Sequence, residues 1–103
     1  MNIAETRTEG KIQLTIEGRI DTTTCAQLQS AILIAFQKTN SLILDFQSVD
    51  YISSAGLRAL LIGQKTASSK GGSMHLIHVQ ESVMQVLRMS GFSGMLNIDC
   101  RKV

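Results

Sequence analysis

The amino-acid sequence predicts an α/β fold in which four or five strands alternate with about three helices. Aliphatic segments with strand-like patterns alternate along the chain with segments of helical periodicity, an order typical of α/β sheets. The chain has 103 residues, of which 44% are hydrophobic, so it can bury one core but not two. Aromatic residues make up only 4%, so we expect an aliphatic core within a single domain over residues 1–103.

Charge and hydropathy argue against several classes of protein. Ten Lys and Arg residues against eight Asp and Glu residues give a net charge of +2 without a basic cluster, so we expect no nucleic-acid partner. The longest apolar run, residues 31–36, is far shorter than the roughly 20 residues of a membrane span. Residues 1–10 lack the apolar segment of a signal peptide, so we expect a cytoplasmic protein with reduced thiols at Cys25 and Cys100.

The first two strands are predicted from alternation of apolar and polar residues. Residues 11–17 place Ile12, Leu14 and Ile16 on one face, which is the pattern of a half-buried strand. Residues 2–7 are expected to pair with that strand as a weak edge strand.

The first helix is predicted to begin within residues 21–24. Thr24, followed three residues later by Gln27, matches a capping box, in which two side chains satisfy free backbone N–H groups. Apolar residues then recur from 28 to 36 at the spacing of one helix face, and Asn40 is the expected end.

The middle of the chain predicts a central strand followed by the second helix. The continuous apolar run within residues 41–46 is typical of a parallel strand that is covered on both faces. The second helix is expected to begin at Ser53 or Ser54, because either hydroxyl can accept a hydrogen bond from a free backbone N–H. Gly71 and Gly72 tolerate positive φ and are the expected end of this helix.

The last third of the chain predicts a strand over residues 74–79, a helix over 82–90 and a short strand over 96–98. Ser82, with Gln85 three residues later, is the expected cap of this third helix. The three segments complete the alternation of strands and helices.

Motifs for catalysis or metal binding do not emerge from the sequence. His75 and His78 fall on a predicted strand, where residues three apart face opposite sides of the sheet, so they are not expected to share a metal. Ser54 lies outside a G-x-S-x-G motif, and few residues are available to act as its base. We therefore expect no enzymatic activity, no cofactor and no bound metal.

Residues 49–58 carry the most information about function. This stretch follows the predicted central strand and opens the second helix, at the end of the sheet where binding residues gather. Helix capping by itself explains one of the two adjacent serines, Ser53 and Ser54.

Five segments together produce a resemblance to a known family. They are residues 18–21 (GRID), 42–46 (LILDF), 52–57 (ISSAGL), 71–72 (GG) and 86–92 (VLRMSGF). In this order and at this spacing, spread over nearly the whole chain, they resemble the STAS domain family of bacterial anti-sigma factor antagonists.

The resemblance implies a small mixed sheet of four to five strands, with three to four helices packed mainly on one side. It also implies a switch, in which an anti-sigma factor that is a serine kinase phosphorylates a serine at the start of the second helix. The unmodified antagonist binds that kinase and frees the sigma factor, and a metal-dependent serine phosphatase removes the phosphate. Aligned on Gly56, the phosphoacceptor position falls on Ser54, with Ser53 as the second choice.

The resemblance further implies a partner-binding surface around Ser54. Its members come from the starts of the first two helices: Asp21, Thr22, Thr23, Ser53, Gly56 and Arg58. Gly56 would let a partner approach closely, and Arg58 would bind an acidic partner surface. Helix capping, a glycine tolerated in a first turn and a solvated arginine explain the same residues without a partner, so both interpretations stay open.

One position departs from the family pattern. Many members have Asp directly before the phosphoserine, whereas this chain has Ser53. The alternative function is therefore a STAS scaffold that is not phosphorylated, or a subunit of a stress-sensing or lipid-transport assembly.

Overall fold

Five strands form a mixed sheet at the centre of the computed structural model, which describes residues 1–91, 94 and 96–100. The strands are β1 (Asn2–Thr8), β2 (Lys11–Glu17), β3 (Ser41–Ser48), β4 (Ser73–Val79) and β5 (Asn97–Cys100). They lie side by side in chain order, with β1 antiparallel to β2 and all later neighbours parallel. The predicted strands are confirmed, including the edge strand and the central parallel strand. Phe92, in the family-like segment 86–92, lies outside the described residues.

Within the described part of the chain, three helices connect the parallel strands. They are α1 (Cys25–Phe36), α2 (Ser54–Ser69) and α3 (Glu81–Met89). Each leads to the next strand in the same direction across the sheet, and such crossovers are nearly always right-handed, so all three pack on one face. The predicted α/β fold with helices mainly on one side is confirmed.

Strand β3 shows how the two faces of the sheet differ. Leu42, Leu44 and Phe46 are fully buried, whereas Ile43 between them is only half-buried. Alternate residues of a strand face opposite sides, so Ile43 points to the face that carries no helix. Asp45 lies on the same face as Ile43 and is buried, so the face without helices is partly covered. The prediction that both faces of this strand are covered therefore holds fully only for the face that carries the helices.

The start of α1 differs from the predicted capping box. Thr24 is the N-cap residue, but its side chain makes no cap hydrogen bond. Its Oγ1 accepts a hydrogen bond from the Asp21 N–H at 2.9 Å, while Gln27 Nε2 donates to the carbonyl oxygen of Met1 at 3.2 Å. The capping box is therefore wrong, and the helix also ends earlier than predicted, at Phe36.

The start of α3 also differs from the prediction. Its N-cap is Gln80, which makes no side-chain cap hydrogen bond, and the helix begins at Glu81. Ser82 lies inside the first turn, where its Oγ donates to the carbonyl oxygen of Asp50 at 3.2 Å. The predicted cap formed by Ser82 with Gln85 is wrong, because the Ser82 hydroxyl makes a tertiary contact instead.

Positive φ angles mark two further features of the chain. Gly71 has φ +71° directly after Lys70, the C-cap residue of α2, which confirms the predicted end of that helix. His78 has φ +56° near the end of β4, where the register with β5 shifts, and its Nδ1 lies 3.1 Å from Asp45 Oδ1. The simple alternation that we assumed for His75 and His78 therefore does not apply at His78.

Candidate functional site

The starts of α1 and α2 are joined by a short parallel bridge between Ile20 and Ile52. The Ile20 N–H donates to the carbonyl oxygen of Tyr51 at 3.0 Å, and the Ser53 N–H donates to the carbonyl oxygen of Ile20 at 2.8 Å. Both isoleucine side chains are buried. The bridge brings together the two loops that follow β2 and β3, at the edge of a parallel sheet where ligands commonly bind.

The end of β3 and the loop that follows it are also tied to the start of α3. Gln80 Nε2 donates to the carbonyl oxygen of Gln47 at 2.6 Å, and Ser82 Oγ donates to that of Asp50. The loop that carries the serine pair is therefore held from both sides, by the α1 loop and by the first turn of α3.

The two serines at the start of α2 occupy different environments. Ser53 is the N-cap, with φ −92° and ψ 174°, and its half-buried Oγ accepts a hydrogen bond from the Gly56 N–H at 3.3 Å. Ser54 is the first helical residue and is exposed. The sequence analysis allowed either serine to be the helix cap, and in the structure the cap is Ser53.

Gly56 faces the interior of the protein. A Cβ built on it would lie 2.5 Å from Ile20 Cγ2 and 2.8 Å from Ile52 Cγ1, distances that real Cβ atoms do not show. Gly56 and the following Leu57 are both buried. Gly56 therefore has a clear role in packing, because only a hydrogen fits between α2 and the Ile20–Ile52 bridge.

The start of α1 is a closed hydrogen-bonded turn. Asp21 Oδ1 accepts from the Thr23 N–H at 2.9 Å, from Thr23 Oγ1 at 2.6 Å and from the Thr24 N–H at 3.2 Å. The hydrogen bonds from the Thr23 hydroxyl and N–H lower the pKa of the Asp21 carboxyl below its ordinary value. Thr22 and Thr23 are exposed beside this carboxylate. Asp21 thus has a clear local role in shaping the turn.

A stacked pair that the sequence analysis missed lies next to the bridge. The Arg19 guanidinium carbon sits 4.2 Å from the centroid of the Tyr51 ring, and Arg19 Nε lies 3.9 Å from Asp21 Oδ2. Tyr51 is 40% exposed, whereas the aromatic residues Phe36 and Phe46 are buried in the core. In the sequence, Arg19 and Tyr51 share only one feature, which is that each directly precedes one of the two isoleucines that form the bridge.

Exposed residues from the two helix starts form one surface, which we call the docking surface after the role that we propose for it. They supply hydroxyl groups, two guanidinium groups and one aromatic ring: Arg19, Thr22, Thr23, Tyr51, Ser54 and Arg58. Among the described residues, no three His, Cys, Asp or Glu side chains are grouped so that they could hold a metal ion. The described helices also include none that is both long and apolar enough to cross a membrane.

Comparison with protein families finds a match to the STAS domain over residues 2–101. A curated relative is BtrV of Bordetella bronchiseptica, provisionally named an anti-sigma factor antagonist. It is 28% identical over 93 residues, which cover 89% of this chain and 80% of BtrV.

Solved structures show the same fold. The Thermotoga maritima protein TM1081, provisionally described as an anti-sigma factor antagonist, has a TM-score of 0.87 at 17% identity, covering 98% of this chain and 87% of that one. The Bacillus cell-fate determinant SpoIIAA in its phosphorylated form has a TM-score of 0.72 at 18% identity, covering 95% of this chain and 91% of that one. At these identities the likeness extends to the fold alone.

Proposed function

The chain belongs to the STAS domain family, and on that premise we propose that it is an anti-sigma factor antagonist controlled by phosphorylation of Ser54. In the unmodified state it binds an anti-sigma factor that is a serine kinase, and this binding releases the sigma factor. The observation that carries the proposal is the exposed position of Ser54 at the start of α2, beside Ser53, whose hydroxyl is engaged as the cap.

The reaction requires only an accessible hydroxyl from this chain. The kinase transfers the γ-phosphoryl group of ATP to Ser54 Oγ, which loses its proton, and ADP is the leaving group. A metal-dependent serine phosphatase then hydrolyses the phosphoester and restores the hydroxyl. The exposure of Ser54 supports both steps, because each enzyme must bring its own catalytic groups to the oxygen.

The effect of the phosphate follows from electrostatics. It adds about −1.5 to −2 charges at neutral pH. Near the first turn of a helix such a charge is compatible with the fold, because the free N–H groups there favour an anion. In a close interface, however, the same charge is desolvated and repels acidic groups of a partner. We therefore propose that phosphorylation weakens docking and leaves the domain folded.

Phosphorylation by the cognate kinase tests the site. Ser54→Ala is expected to abolish phosphate incorporation, whereas Ser53→Ala is expected to retain it, because Ser53 serves as the cap. Incorporation is measured with labelled ATP and located by mass spectrometry. Phosphate found on Ser53 in the Ser54→Ala protein would mean that the kinase modifies Ser53 rather than Ser54. No incorporation into any variant would favour the scaffold that is not phosphorylated.

Partner binding tests the electrostatic step. Ser54→Asp is expected to weaken the affinity for the anti-sigma factor by about tenfold or more, equivalent to roughly 1.4 kcal/mol. Ser54→Asn is the matched control, since it has nearly the same size without the charge. Calorimetric titration checks both variants, and equal losses in the two would assign the effect to bulk and contradict the charge mechanism.

A further inference from the structure

Arg58 lies one helical turn after Ser54, on the same side of α2. Both residues are exposed, and both belong to the regular helix Ser54–Ser69. Four residues of helix correspond to a rise of about 6 Å, and side chains at positions i and i+4 are neighbours. Long side chains in a helix also lean toward its N-terminus, so we expect the Arg58 guanidinium to lean toward the position of Ser54.

The other arginine of the docking surface is already engaged. Arg19 stacks on Tyr51 and lies near the Asp21 carboxylate. The arginines that form ion pairs among the described residues are Arg7, Arg19 and Arg88, and Arg58 is not one of them. Arg58 is therefore the cation of this surface that is available to a new anion.

We propose that a phosphate on Ser54 is bound within the same chain by the Arg58 guanidinium. This inference rests on the proposed function and adds a second component to its mechanism. The modification then changes the docking surface twice, because it introduces a dianion and also occupies the cation that would meet an acidic partner. Arg58 becomes a residue of the switch itself.

The chemistry of the pair favours this contact. A guanidinium presents N–H groups in a planar fork that matches phosphate oxygens in a bidentate arrangement. On a helix, an anion four residues before a cation is the more favourable of the two orders. Because both groups are exposed, the contact is expected to weaken as the salt concentration rises.

Phosphoserine installed at position 54 by genetic code expansion allows a direct test. The second ionisation of the phosphate is followed by ³¹P NMR in the Arg58 protein and in Arg58→Gln. Arg58 stabilises the dianion, so Arg58→Gln is expected to raise the measured pKa of the phosphate by roughly 0.3 unit, a shift that disappears at high salt.

Lys65→Gln is the matched control. It removes the same charge from an exposed position of α2, about 16 Å along the helix from Ser54, and is expected to leave the titration unchanged. The same titration curve in Arg58→Gln and in the parent protein would overturn the inference. Equal shifts in both variants would indicate a general charge effect and would overturn it as well.

This experiment separates the inference from the proposed function. The phosphate is placed without the kinase, so the titration reports on Arg58 even if the kinase does not modify Ser54. Conversely, a failed titration leaves the result of the phosphorylation assay unaffected. Circular dichroism and thermal unfolding establish that each variant is folded before its titration is compared.

Discussion

The starts of α1 and α2 lie side by side, yet they use their polar side chains differently. At α1, the Asp21 carboxylate and the Thr23 hydroxyl bind each other, which closes the turn. At α2, Ser53 satisfies the backbone and Ser54 faces the solvent. At the start of α1, the polar side chains mainly stabilise their own turn. At the start of α2, one serine stabilises the helix and the other stays exposed on the surface.

The largest expected effect comes from the contact that holds the two starts together. Gly56→Ala places a methyl group against Ile20 and Ile52, so either α2 or the bridge must shift. Overpacking of this kind costs about 1–3 kcal/mol of stability. Alanine favours a helix over glycine by roughly 1 kcal/mol, so the overpacking cost outweighs this gain when the shift is large. We expect a lower free energy of unfolding, measured with urea.

Gly94→Ala is the control for the same change of residue. A Cβ at Gly94 meets no atom of the described residues within 4 Å, and we expect little change in stability. If Gly56→Ala were as stable as the parent protein, the close packing between the two helix starts would not limit the residue at this position.

A smaller effect is expected from the serine pair. Ser53→Ala removes the cap on the Gly56 N–H and should destabilise the protein by about 0.5–1 kcal/mol, toward the low end for caps because the bond is 3.3 Å long. Ser54→Ala removes an exposed hydroxyl, and surface changes of this kind stay within about 0.5 kcal/mol. Thermal unfolding of the two variants measures the difference, and a reversed order would refute the division of roles.

The smallest effect is expected at the start of α1 and depends on pH. The folded state lowers the pKa of Asp21 through the Thr23 hydrogen bonds, so its charged form stabilises the fold above the unfolded pKa. That contribution is lost as the pH falls below about 4 and passes through the lowered folded value. Asp21→Asn should therefore lower the urea midpoint at pH 7 and have less effect near pH 3.

Asp50→Asn provides the comparison for Asp21→Asn. Asp50 is exposed near the start of the loop between β3 and α2, and its backbone carbonyl, rather than its side chain, accepts from Ser82. We expect its midpoint difference from the parent protein to be small at both pH values. A pH-independent loss in Asp21→Asn would mean that the charge of Asp21 does not matter to the turn.

Much of the fold was predictable because its signals are local. Alternation in residues 11–17 placed Ile12, Leu14 and Ile16 in the core, and all three are buried. The apolar run in residues 41–46 predicted the central parallel strand, and the serine pair predicted where α2 begins. Each of these signals lies within a few residues of the element that it predicts.

The site was less predictable because its contacts join distant parts of the chain. The space around Gly56 is set partly by Ile20, and the stacking of Arg19 on Tyr51 joins two different loops. The predicted capping box at Thr24 was wrong because the Thr24 hydroxyl accepts a hydrogen bond from the Asp21 N–H, within the tight turn before the helix. The spacing of neighbouring residues in the sequence does not predict such contacts.

The Ile20–Ile52 bridge has a consequence for the speed and strength of association. Two backbone hydrogen bonds and two buried side chains hold the loops as one body before any partner arrives. A surface already arranged in this way loses little conformational entropy when it is covered. Under the proposed function, encounters with the partner would need no slow rearrangement of these loops, and the charge of a phosphate on Ser54 would shift the balance between bound and free protein.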